Sequence, residues 1–124
     1  MFALAVAQTQ RVACPKPTVA VAPHEPYVTR GPTEIVVGLY IQGGPFIPGC
    51  HQEPRGPDAG TVTVSAHGRV VEHETLRSAG RLFVLRVAPG RYTVAAPGSL
   101  RRQSVVLTVH QGQTVREDLF ADVP

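Results

Sequence analysis

The chain has 124 residues, enough for one domain with a single core and too few for two independent ones. Val leads the aliphatic content, Gly and Pro number 12 each, and Trp and Asn are absent, a balance that favours β-branched strands between punctuated turns and disfavours helix. Eleven Arg and one Lys, Lys16, leave a formal net charge of +3. Because Arg69, Arg77, Arg81, Arg86, Arg91, Arg101 and Arg102 alternate with Glu72, Glu74 and apolar residues, no basic block forms and no nucleic-acid partner is expected.

Taken in chain order, residues 1–7 (MFALAVA) are apolar, and Ala5, Val6 and Ala7 have the small-x-small form that signal peptidases accept. The run is too short to span a bilayer and lacks a basic flank, so it reads as the end of a signal peptide that starts upstream. That predicts a secreted or cell-envelope protein without a transmembrane segment. The rival reading is a frayed apolar terminus of a cytosolic chain. From residue 8 to 32, Pro15, Pro17, Pro23, Pro26 and Pro32 remove backbone donors, which predicts an extended arm with neither ladder nor helix. The expected organisation is therefore a signal-like segment and proline-rich arm over 1–32, followed by a folded domain over 33–124.

Two cysteines, Cys14 and Cys50, suit an exported domain with one disulfide. The alternatives are a lipidated Cys14, a metal site of Cys14, Cys50 and His51, and two free thiols. The first is opposed by Arg11 where a lipobox wants an aliphatic residue, and the second by the lack of a paired CxxC spacing.

The first strand is predicted where Ile35, Val37, Leu39 and Ile41 occupy alternate positions. Residues 43–60 hold four prolines and five glycines, a long irregular segment that must be either tied down or functional. A disulfide at Cys50, with packing of Phe46 and Ile47, is the expected tie. Val62, Val64 and Ala66 alternate next, His67 and Gly68 make a tight turn, and the run from Val70 to Leu76 completes a β-hairpin. Phe83, Leu85 and Val87 are followed by a turn at Ala88, Pro89 and Gly90 into Tyr92, Val94 and Ala96, which predicts a second hairpin. Val105, Leu107 and Val109 give a further strand. A last one runs through Val115 and Leu119 with Glu117 in its inward register, which predicts an edge strand where a half-buried charge is tolerated. Seven short strands with turns near every tenth residue predict an all-β, seven-stranded antiparallel β-sandwich.

The stretch from Gly60 to Leu119 resembles the carboxypeptidase regulatory-like and collagen-adhesin B-type domains of secreted bacterial proteins. The marks are Gly80 before Phe83, the Val87-Ala88-Pro89-Gly90-Arg91-Tyr92 turn with its aromatic, and Gly112 before a Thr/Val strand. The resemblance implies a transthyretin-like (prealbumin-like) sandwich and a non-catalytic module serving as spacer, stalk or accessory. The chain departs from both families. It has no Asn for a Lys–Asn isopeptide, its one Lys lies in the arm, and it contains no adjoining peptidase.

Signatures of chemistry are wanting. His73 and Glu74 lack the second His of a zinc peptidase and face opposite ways on a strand, and Ser99 after Gly98 lacks the second Gly of a nucleophile elbow. His24, His51, His67, His73 and His110 are scattered without ligand spacing. Glu53 and Asp58 share only a loop and Glu72 and Glu74 a solvated strand face, so neither pair reads as general acid and base. No catalytic residue, cofactor or metal is expected, and the site residues predicted are the disulfide pair Cys14 and Cys50. The expected function is a monomeric, non-catalytic extracytoplasmic spacer or protein-interaction module with a protein or glycan partner. The alternative is a starch-binding-like carbohydrate module using Tyr27, Tyr40, Phe46 or Phe120.

Overall fold

The computed structural model describes residues 14, 16–44, 48–50, 53–97 and 104–123. Those residues form an all-β fold of eight strands: β1 (Tyr27–Arg30), β2 (Glu34–Gly43), β3 (Gly60–Ala66), β4 (Arg69–Leu76), β5 (Phe83–Arg86), β6 (Gly90–Ala95), β7 (Ser104–Val109) and β8 (Gln113–Val123). They lie in two four-stranded sheets, ordered β1-β8-β2-β5 and β4-β3-β6-β7. Alternation decides which side chains meet between them. Ile35, Val37 and Leu39 of β2, Phe83 and Leu85 of β5, and Val115 and Leu119 of β8 share one buried cluster with Val62, Val64, Tyr92, Val94, Leu107 and Val109 of the second sheet.

Four expectations change. The strand count is eight rather than seven, because the window free of proline between Pro26 and Pro32 is long enough for a short ladder. Tyr27 to Arg30 there pair with Arg116 to Gln113, at a sheet edge, where flanking prolines cost least. The sandwich expected to be antiparallel contains one parallel pair: β2 and β8 run side by side from Glu34↔Thr114 to Gly43↔Val123. A parallel partner needs a long crossover, and here the entire second sheet lies between the two strands in sequence.

The predicted second hairpin does not form. β5 pairs with β2 in one sheet while β6 pairs with β3 and β7 in the other, so Ala88, Pro89 and Gly90 make a corner that carries the chain between layers. The Tyr92 hydroxyl donates to the Ala88 carbonyl at 2.5 Å and pins that corner from inside. Finally, β8 is not an edge: it lies between β1 and β2. The hairpin of β3 and β4 does form, with Thr61 opposite Thr75 and Thr63 opposite His73. Its turn holds His67 at φ 53° and Gly68 at φ 76°, the pair of positive values that a two-residue hairpin turn requires.

Candidate functional site

β2 has six consecutive buried residues, Ile35 to Tyr40. A strand facing the core on one side would alternate, so both faces of β2 are covered. The second cover is the proline-rich arm. On the outer face of the first sheet, Tyr40 projects from β2 and Arg116 and Asp118 from β8, and these side chains are linked to one another. Arg116 Nε donates to Asp118 Oδ1 at 3.1 Å, and Arg116 Nη2 donates to the Tyr40 hydroxyl at 3.0 Å. Asp118 is 2 % exposed and Tyr40 0 %, which is tolerable only because each polar atom finds a partner. Burial, followed by the charge of Asp118, raises the Tyr40 phenol above its usual value. Phe120 stacks beside Tyr40 with ring centroids 5.7 Å apart.

This cluster holds the arm. The Tyr40 hydroxyl donates to the Val19 carbonyl at 2.9 Å, Arg116 Nη2 to the Ala20 carbonyl at 2.7 Å, and the Ala22 N–H to Asp118 Oδ2 at 2.9 Å. Gly38 lies at the centre of the floor. A Cβ there would stand 2.6 Å from the Tyr40 ring and 2.7 Å from Asp118 Oδ1, so glycine makes the room in which the two side chains meet.

The long segment expected to be tied down is tied. The Arg55 N–H donates to the Ile41 carbonyl at 2.7 Å and the Ile41 N–H to the Arg55 carbonyl at 2.8 Å, beside the half of β2 that β5 does not reach. Thr18 joins arm to segment through its N–H on the Gly56 carbonyl at 2.9 Å. Cys14 and Cys50 complete the fastening as a disulfide, with Cα atoms 5.5 Å apart and no free cysteine among the described residues. Phe46, Ile47 and His51, expected to take part in or rival that fastening, lie outside the described residues, as does Ser99.

One buried group is not satisfied. Glu117 is 4 % exposed in the inward register predicted for it, and its Oε2 has no hydrogen-bond partner among the described residues. Burial first, and then the adjoining carboxyl of Glu25 from the arm and the charge of Asp118, push its carboxyl up to about 8. The protonated form, which buries at lower cost and donates a proton to share with Glu25, is favoured at neutral pH.

A groove of about 410 Å³ opens between the β3–β4 turn and the corner after β5, lined in part by His67, Glu72, Arg86, Arg91 and Tyr92. Two of its polar groups are engaged: Arg86 Nε pairs with Glu34 Oε2 at 3.0 Å, and the Tyr92 hydroxyl holds the corner. Among the described residues no group of three or more His, Cys, Asp or Glu side chains is placed to hold a metal ion, and no helix is long and apolar enough to cross a membrane. Of the aromatics proposed for sugar stacking, Tyr40 is fully buried, Tyr27 meets His24 edge-on at 5.2 Å, and Phe120 is half-buried against Tyr40.

Comparison with protein-family models, with curated proteins and with solved structures finds no match for this chain. The site therefore stands on its geometry. Sequence reasoning found Cys14 and Cys50, offered Tyr40 only as a sugar-stacking aromatic, and missed Arg116 and Asp118. A signal was present: Val36 and Tyr40 make β2 apolar on both faces, which marks a strand covered twice.

Proposed function

We propose that the chain is a non-catalytic extracytoplasmic β-sandwich module, of the transthyretin-like kind that its second half resembles, working as a spacer or protein-interaction domain. The observation that carries this reading is the use made of Tyr40, Arg116 and Asp118. These three side chains converge on one face of the first sheet, and each makes a hydrogen bond to a main-chain atom of the arm. A catalytic constellation needs a nucleophile or acid–base group aimed at open space, whereas these hold structure. The disulfide supports an oxidising compartment. Among the described residues the aromatics lie in the core or against neighbours rather than on an open platform, which favours a protein partner over a glycan.

Cross-linking in the native host, followed by cell fractionation and thiol trapping, tests the proposal. The expected result is an oxidised chain outside the cytoplasm, joined to a discrete protein neighbour. Recovery of a reduced cytoplasmic chain, or selective retention on a glycan array, overturns it.

A further inference from the structure

The contacts beneath the arm share a property beyond their number. Tyr40 and Arg116 donate to the carbonyls of Val19 and Ala20, and Asp118 accepts from the N–H of Ala22. All three sheet side chains read main-chain atoms, and none reads an arm side chain. Thr18 of the arm makes its side-chain hydrogen bond elsewhere, its hydroxyl donating to the Gly56 carbonyl at 3.1 Å, off the strands. The reading groups are fixed independently of their occupant, since Arg116 bonds both Tyr40 and Asp118 and Gly38 leaves the space for them. Preorganised groups of this kind gain affinity because little order is lost on binding. The segment they hold lies outside the strands, is uncharged and is made of small residues, Val19, Ala20, Val21 and Ala22. Ala22 is 8 % exposed, so that position takes a small side chain.

We propose that the outer face of the β1-β8-β2-β5 sheet is a peptide-binding groove that recognises main-chain atoms, and that the proline-rich arm occupies it in cis. The partner is an uncharged segment of small residues from another protein, admitted once an external dithiol reductant, itself oxidised to a disulfide, has converted the Cys14–Cys50 bridge to two thiols. This rests on the reading of the chain as a protein-interaction module and names its site. With the disulfide closed, the arm competes at a high effective concentration and excludes a ligand in trans.

A labelled synthetic peptide with the sequence of residues 16–26, titrated against the full chain, tests the proposal. One series uses the oxidised protein and another the Cys14→Ser/Cys50→Ser chain, with circular dichroism verifying that both are folded. Saturable binding at least about tenfold tighter to the unstapled chain is expected. N-methylation of the peptide at the position of Ala22 removes the N–H that meets Asp118 and weakens binding by about tenfold or more. Exchanging the residues at positions 19 and 20 with each other leaves affinity within about threefold, because no side chain is read there.

Absence of saturable binding, or indifference to the N-methyl group, overturns the groove. Formation of an arm-exchanged dimer by the unstapled chain, with no peptide uptake, assigns the face to a second copy and overturns the heterologous partner. None of these results touches the host cross-linking, so failure of the groove is separable from failure of the module reading.

Discussion

Glu117 shows what one residue on the wrong face costs and what it confers. A carboxyl whose folded pKa stands above its free value takes up protons on folding, so its contribution to stability declines as pH rises between the two. For Glu117 that window runs from its free value of 4.5 to about 8. The slope approaches about 1.4 kcal/mol per pH unit in the middle of the window and vanishes above it. Glu117→Gln keeps the shape of the protonated carboxyl without its titration. Urea unfolding of the variant across this window is expected to be flatter than that of the parent, and parallel pH profiles would refute the assignment. The groups facing Glu117 are Glu25 from the arm and Asp118 beside it on the strand, so ionisation sets three carboxylates near one another where the arm enters β1.

At the scale of elements, the corner after β5 decides which sheet each strand joins. The Tyr92 hydroxyl bond to Ala88 closes it, and Tyr92→Phe is expected to cost about 1 kcal/mol, with the ring still packed in the core. Chemical denaturation measures this directly; an unchanged midpoint would mean that the corner is held by Pro89 and packing alone. Here the sequence was legible only to a point. The alternation in Phe83 to Ala96 locates two strands and the face each buries, because period-two patterning reports sides of a sheet. It does not report neighbours, so two strands around a tight turn read as a hairpin although they belong to different layers. β1 was hidden for another reason: a strand of four residues flanked by prolines carries too little pattern to outweigh the breakers around it. The clasp under the arm was hidden because Tyr40 lies far from Arg116 and Asp118 along the chain. Only the parallel register of β2 and β8, which sets Tyr40 opposite Phe120 and Gly38 opposite Asp118, brings them together.

For the whole molecule, the Cys14–Cys50 bridge spans a sequence separation of 36 and restricts the unfolded chain by about 4 kcal/mol in the chain-entropy model. The Cys14→Ser/Cys50→Ser chain is expected to fold, since β2 and β8 do not depend on the bridge, but to unfold at a lower denaturant concentration by about that much free energy. A midpoint equal to that of the oxidised protein would show that hydrogen bonds to the arm suffice alone. The same bridge governs access to the groove, so stability and ligand uptake change in opposite directions when it opens.

The place of β8 also sets an order of events. It lies second in a sheet whose other members, β1, β2 and β5, all precede it in the chain, so until β8 arrives β1 has no partner and β2 lacks one of its two neighbours. A chain synthesised from its amino end can close the β3–β4 hairpin early, because those contacts are local, yet it holds an incomplete layer until β8 is made. Contacts between distant segments slow folding because the loop must close before they reward it. Completion of the first sheet therefore waits on β8, which adds to β2 and gives β1 its partner in one step.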